Sequence, residues 1–226
     1  YGVFALMAKL FTEIGVEMIG SLAKYFLLVL FVLIAHGLIV YPLFMRVLAR
    51  VKPGIFLKKM RDAQLFGFST ASSNATMPIT LETVTRRLGV SNSVGSFTVP
   101  LGATINMDGT AIMQGVATVF IAQVYGLDLG IAEYLMVIMT ATLASVGTAG
   151  VPGVGLIMLA MVLQQVGLPV EGIGLIIGVD RLLDMTRTAV NVTGDAMVST
   201  VVARSEGDFD EEVYYDENAG KKLEEL

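Results

Sequence analysis

The chain has 226 residues, of which 54% are hydrophobic and only 15% charged, with a mean hydropathy of +0.73 and a formal net charge of −5. Soluble domains carry about 25% charged residues, so this balance excludes a soluble enzyme and a disordered chain, and the count of Cys 0 excludes a disulfide scaffold and thiol chemistry. The acidity sits mostly in residues 206–226; the remainder is close to neutral and carries no basic footprint for nucleic acid.

Residues 25–45, 109–127 and 134–170 contain no Asp, Glu, Lys or Arg. Each window reaches the roughly 20 residues an α-helix needs to cross a bilayer, and the third has room for two shorter elements. The sequence opens on Tyr1-Gly2-Val3-Phe4, apolar and with no initiator Met, basic n-region or cleavage site before it. That reads as a membrane helix entered in its middle rather than a signal peptide, with partners expected from a preceding segment. Residues 1–18 are then the end of a scaffold membrane helix and a loop, with a polar connection from residue 13 to 24, and residues 19–53 a transmembrane helix. Cations gather beyond it at Arg46, Arg50, Lys52, Lys58, Lys59, Arg61, Arg86 and Arg87, whereas the loops around Asp128 and Glu171 have none. The positive-inside rule places the cation-rich side in the cytoplasm.

Two stretches interrupt the spanning pattern. Residues 68–80 read FSTASSNATMPIT, and residues 145–155 read SVGTAGVPGVG around Pro152. Irregular backbone at membrane depth costs several kcal/mol per unsatisfied group unless protein or a cavity covers it. Both stretches therefore read as tips of re-entrant helical hairpins, residues 54–90 entering from the cytoplasmic side and residues 127–168 from the opposite one. Each hairpin precedes a helix with a polar, Gly-containing middle: Asn106-Met107-Asp108-Gly109-Thr110 within residues 91–126, and Asn191-Val192-Thr193-Gly194-Asp195 within residues 169–205. The fold expected is an all-α, multi-pass membrane protein built as an inverted repeat of hairpin plus broken helix, a pattern that points to a transporter site near the midplane.

The last helix carries Asp180, Asp184, Arg187, Asn191 and Asp195 at three- and four-residue intervals, one stripe on one face. A charge at mid-bilayer costs at least ~2.5 kcal/mol, so several together must line a polar interior, and pairing of Asp184 with Arg187 offsets part of the cost. Arg187 offers a planar fork for a carboxylate. Asp184 suits an ammonium group, with Thr188 and Asn191 adding neutral hydrogen bonds. A cation and an anion one turn apart fit an acidic amino acid. Asp108 and Asp195, with carbonyls freed near Gly109 and Gly194, offer hard oxygen ligands to a small cation. His36 lies in an apolar run without an acidic neighbour at helical spacing, which favours a packed or interfacial residue over a proton relay.

NMDGT at 106–110, SSNATMP at 72–78, SVGTAGVPG at 145–153 and DMTRTAVNVTGD at 184–195 resemble the glutamate/aspartate:cation symporter family (dicarboxylate/amino acid:cation symporters), in order and at fitting spacing over residues 1–205. The resemblance implies a transport domain moving like an elevator along a homotrimeric scaffold in the cell (inner or plasma) membrane, with the C-terminus cytoplasmic. It implies that Arg187 holds the substrate side-chain carboxylate and that Asp184 and Thr188 hold its amino group. Asn191 and the backbone around Ser73, with Ser72 beside it, would take the α-carboxylate, and Thr110 would lie near the side-chain end. Residues 145–155 would be the extracellular gate, touching substrate at Val151 and Gly155.

Sodium ions are the implied coupling ions, with protons as the alternative and no organic cofactor. One sodium site would use the carbonyls of Gly102, Asn106 and Asn191 with the Asp195 carboxylate. A second would use the carbonyls of Thr104, Ser145, Val146 and Thr148, and a third Asn106 and Asp108, completed by an earlier helix. Ala71 and Met185 stand where many relatives carry a second arginine, leaving Arg181 as the accessory candidate. Gln114 stands where animal members have a glutamate linked to proton and potassium coupling, which implies a prokaryotic-type cycle.

Blander readings have weaker support. The Gly-rich tip is more than a helix-packing motif, because Pro152 at its centre calls for a turn. It lacks the lysine of a phosphate loop. Ser72 and Ser73 have no His or Lys partner in the sequence pattern for a protease. The sequons at Asn74 and Asn191 fall at membrane depth. Met158 and Met161 read as packing or lipid-facing residues, and the acidic tail as a solvated cytoplasmic end with no inferable partner. The function expected is secondary active symport of L-glutamate or L-aspartate with sodium, without enzymatic chemistry. The alternatives are a proton-coupled glutamate or C4-dicarboxylate symporter, a carrier of neutral amino acids, a ligand-gated channel or a membrane enzyme. Asp184 opposes a dicarboxylate that lacks an amino group.

Overall fold

The computed structural model describes residues 18–220. The expected scaffold helix and most of its polar connection lie outside the described residues. The described part of that connection, from Met18 onward, is already helical. Helix α1 (Met18–Ala35) continues through a π-helical turn (His36–Val40), a single α turn (Tyr41–Phe44) and a second π turn (Met45–Ala49), and ends at Arg50 with a left-handed φ of 58°. Its stretch Ile19–Ala49, 31 residues whose most apolar 18-residue window has a mean hydropathy of 2.5, is long and apolar enough to cross a membrane.

Pro53 opens α2 (Pro53–Thr70), where its missing N–H costs nothing. The tip of the first hairpin is narrower than the polar run at 68–80: only Ala71, left-handed at φ 51°, and Ser72 lie between α2 and α3 (Ser73–Arg86). Ser72 caps α3 by accepting from the Ala75 N–H at 3.2 Å. The next helix is interrupted as its sequence suggested: α4 (Asn92–Ile105) stops at Asn106 and Met107, and α5 (Asp108–Val124) restarts. The charge-free run at 134–170 divides into α6 (Ile131–Val146) and α7 (Val154–Gln165) around the turn at 147–153. Neither reaches the length of a bilayer crossing.

After a 3₁₀ turn (Val170–Gly172), α8 (Ile173–Glu206) runs for 34 residues. This corrects one expectation: the second polar middle, residues 191–195, does not break its helix. Gly194 serves contact instead. A Cβ there would sit 2.6 Å from the Tyr41 hydroxyl, so its absence lets α1 and the end of α4 close onto α8 without unwinding it. Helix α8 is the axis of the molecule, packed along α2, α3, α4, α5 and α1. Apolar side chains such as Phe31 and Leu143, both 68% exposed, face outward from α1 and α6.

The acidic tail is also corrected. Helix α8 ends at Gly207, Phe209 bridges to Val90, and Asp210 caps a last helix, α9 (Glu211–Tyr215), by accepting from the Val213 N–H at 3.0 Å. Tyr214 is fully buried, and burial pushes its phenol above the usual range. Its hydroxyl donates to the Lys52 carbonyl at 3.0 Å. An acidic composition concealed these aromatic anchors.

Candidate functional site

The stripe on α8 is buried along its length: of Asp180, Asp184, Arg187, Asn191 and Asp195, the most exposed is Asp184 at 7%. Its charges are paired as their spacing suggested. Arg187 Nη2 donates to Asp184 Oδ1 at 2.6 Å and Nη1 to Asp180 Oδ1 at 3.3 Å. The second oxygen of Asp184 accepts from the Gly153 N–H at 2.9 Å, which ties the tip of the α6–α7 hairpin to α8. Removing one member of such a buried set costs about 3–5 kcal/mol, because the others are left uncompensated.

Both hairpin tips and the α4–α5 break converge on this stripe. The Gly150 carbonyl accepts from Ser72 Oγ at 2.7 Å and from the Asn74 N–H at 3.0 Å, joining tip to tip. A Cβ at residue 150 would stand 2.8 Å from Asn74 Oδ1, so the contact needs glycine. Asn191 Oδ1 accepts from the Gly109 N–H at 2.8 Å, an orphan donor at the start of α5, and its amide donates to Thr110 Oγ1 at 3.4 Å. Thr188 Oγ1 donates to the Asp184 carbonyl at 2.8 Å. The cavity they enclose measures about 20 Å³. That is room for about one water, so a ligand larger than water requires a tip to move.

The structure gathers Arg187, Asp184, Thr188, Asn191, Ser73, Thr110, Val151 and Gly155 around this cavity. Ser72 borders it through the Gly150 bond. Its hydroxyl is engaged there and as a helix cap, not with a histidine. Arg181 is exposed and lies with Asp180 and Asp184 in a separate surface cleft beside Pro152.

The candidate cation ligands fall into distinct groups. Asp195 lies against Gly102, and its Oδ1 accepts from Asn106 Nδ2 at 3.0 Å, which also approaches the Asn191 carbonyl at 3.3 Å. The residues of the first expected set are therefore neighbours, held together here by the N–H groups of Asn106. In the second, Ser145 at the end of α6 and Thr148 in the hairpin turn are buried, whereas Thr104 and Val146 are exposed. The Thr104 hydroxyl bonds within its own helix, to the Leu101 carbonyl. In the third, the Asn106 amide turns to Asp195, and Asp108 has other neighbours. Among the described residues no three His, Asp or Glu side chains converge, so these groups depend on carbonyl oxygens.

Those neighbours were missed in the sequence. His36 Nε2 lies 3.2 Å from Asp108 Oδ2, and the Tyr41 hydroxyl donates to the same oxygen at 3.0 Å. His36 does pack, edge-on to Tyr41 at 4.7 Å, but it has an acidic partner in space that helical spacing could not show. The π turn that begins at His36 marks the place, but it emerges only from the structure and left no signal in the sequence. Also missed was the Met107 thioether, which accepts from Asn191 Nδ2 at 3.2 Å; Gln114, singled out in the sequence, donates from Nε2 to the Gly155 carbonyl at 3.2 Å.

An apolar-skinned, all-helical body with two hairpin tips, an interrupted helix and a buried ion-pair stripe meeting at its centre is the class of protein defined here. The chain belongs to the Sodium:dicarboxylate symporter family, whose model matches residues 1–205. It is 43% identical over 213 residues to an excitatory amino acid transporter of Caenorhabditis elegans, covering 93% of this chain and 42% of that protein. To the proton/glutamate-aspartate symporter of Escherichia coli (strain K12) it is 40% identical over 209 residues, covering 92% and 47%. To excitatory amino acid transporter 3 of Mus musculus it is 43% identical over 201 residues, covering 89% and 38%. The chain thus spans less than half the length of these relatives.

Proposed function

We propose that the complete protein is a secondary active symporter that imports an acidic amino acid, L-glutamate or L-aspartate, across a cell membrane, and that this chain forms its substrate-binding part. The observation that carries the reading is the buried Arg187–Asp184 pair beneath the two hairpin tips, one of them glycine-rich. A guanidinium fork and a carboxylate one turn apart complement a side-chain carboxylate and an ammonium group. With the tips closed they neutralise each other. A substrate carboxylate would replace Asp184 on Arg187, while its ammonium would replace the Gly153 N–H on Asp184. Such an exchange keeps every buried charge paired.

The hairpins are read as re-entrant, the α6–α7 hairpin as the gate, and the cation-rich ends as cytoplasmic. Sodium is the coupling ion favoured, with Asp195, Asn106, Gly102 and the Asn191 carbonyl as the best-assembled oxygen set. A proton-coupled cycle is the second reading, supported by the Escherichia coli relative. Each positive charge carried inward down 100 mV supplies about 2.3 kcal/mol. Assembly as a homotrimer with an elevator-like movement belongs to the same proposal.

Proteoliposomes holding the complete protein test it, with sodium and proton gradients imposed separately. Accumulation of aspartate or glutamate that follows one gradient is expected. Currents without accumulation would indicate a channel, and uptake independent of both gradients would refute coupling.

A further inference from the structure

The two hairpins are tethered at different places. Every hydrogen bond described between the α6–α7 hairpin and the rest of the protein lies at its tip: Gly153 to Asp184, Gln114 to Gly155, and Ser72 and Asn74 to Gly150. The α2–α3 hairpin shares the Gly150 contact and is also fastened at its base, by the C-terminal segment. Lys59, 8% exposed, projects from α2 into a cage of three main-chain carbonyls. Its ammonium donates to the Arg87 carbonyl at 2.6 Å and to those of Val213 and Tyr214 at 2.8 Å. All three N–H donors are therefore used.

The first of these carbonyls lies at the foot of α3 and the other two on α9, so one side chain joins both legs of the hairpin to the tail. The Tyr214 ring lies 5.7 Å below the same ammonium. Around this knot, Tyr214 bonds to Lys52 just before α2, the Asp210 N–H donates to the Gly89 carbonyl at 2.7 Å, and the Ser91 N–H donates to the Asp208 carbonyl at 3.0 Å.

We propose that residues 207–217 are a strap that locks the base of the α2–α3 hairpin through Lys59, so that this hairpin stays shut whether or not the central site is occupied. A hairpin that opens must pivot its legs about their base, and here both legs and the turn after them are bonded to one segment. None of these groups belongs to the central site, so nothing bound there alters them. The strap does not depend on which molecule the site takes.

Thiol protection in the complete, membrane-reconstituted protein without substrate tests the strap, so that failure of the transport reading leaves the result interpretable. The chain has no cysteine, so reporters can be placed singly at Ala63 (0% exposed, on α2) and Ala144 (8% exposed, on α6). Lys59→Met, and truncation after Gly207, are expected to raise maleimide labelling of Ala63→Cys at least tenfold and leave that of Ala144→Cys unchanged. Tyr214→Phe, which preserves the packing, removes one hydrogen bond and is expected to raise labelling at Ala63→Cys about fivefold. Unchanged labelling at Ala63→Cys in Tyr214→Phe, or equal increases at both reporters in any variant, would overturn the proposal.

Discussion

The α2–α3 and α6–α7 hairpins have the same outline, two helices and a short tip meeting at Gly150, yet they are built of different material. In α2, Phe56, Met60 and Ala63 are fully buried against the axis, and the tip needs only Ala71 and Ser72 to reverse direction. In α6, Leu135, Ile138 and Leu143 are each more than 60% exposed, and the tip spreads over seven residues, 147–153. One hairpin is held by packing and by contacts remote from the site. The other is held by bonds to residues of the proposed site, and on that proposal occupancy would decide its position. A ligand shifts a conformational equilibrium only through contacts that differ between the two states, and those contacts are concentrated on the α6–α7 tip.

The strongest way to break this contrast is Arg187→Ala. It leaves Asp180 and Asp184 buried and uncompensated and is expected to destabilise the protein by about 3–5 kcal/mol. Acidic-substrate uptake should disappear while neutral amino acids are admitted, as read by competition in proteoliposomes; unchanged aspartate uptake would contradict the assignment. Gly150→Val comes next. Its side chain cannot fit against Asn74, so the tips should separate and substrate affinity fall about 10- to 100-fold, from the loss of two hydrogen bonds. Labelling should rise at Ala144→Cys and stay low at Ala63→Cys.

Ser72→Ala sharpens the contrast more gently. It removes one of the two donors to Gly150 and the cap of α3, together about 1–2 kcal/mol, so an affinity loss of about tenfold is expected in equilibrium binding. Ala71→Gly should have the smallest effect and the opposite sign. Relieving the left-handed backbone at φ 51° should stabilise the closed hairpin by about 1 kcal/mol and raise the melting midpoint without changing substrate preference.

The parts of this architecture visible in the sequence are those written in local spacing. The stripe from Asp180 to Asp195 was legible because helical geometry puts three- and four-residue neighbours on one face, and burial followed from the apolar surroundings. The hairpin tips were legible from Gly, Pro and Ser where an apolar run should have continued. Residues meeting across long separations were not. Asp108 lies 72 residues from His36, and no periodicity connects them. Gly194 was misread because the same residue marks a break in one context and a close approach in another. The Asn106 amide and the Tyr41 hydroxyl beside it decide which. The tail was misjudged from its average charge, when the fold depended on Tyr214 and on a lysine 155 positions earlier.

The continuity of α8 has a mechanical consequence. Asp184 and Asp195 stand on one uninterrupted helix, so their separation, about 16 Å along the axis, is fixed as on a ruler. News of what sits beside Asp195 cannot reach Asp184 by stretching or bending that rod. On the proposed function it would travel sideways, through the break at Asn106 and Met107, whose side chains touch Asp195 on one side and Asn191 on the other.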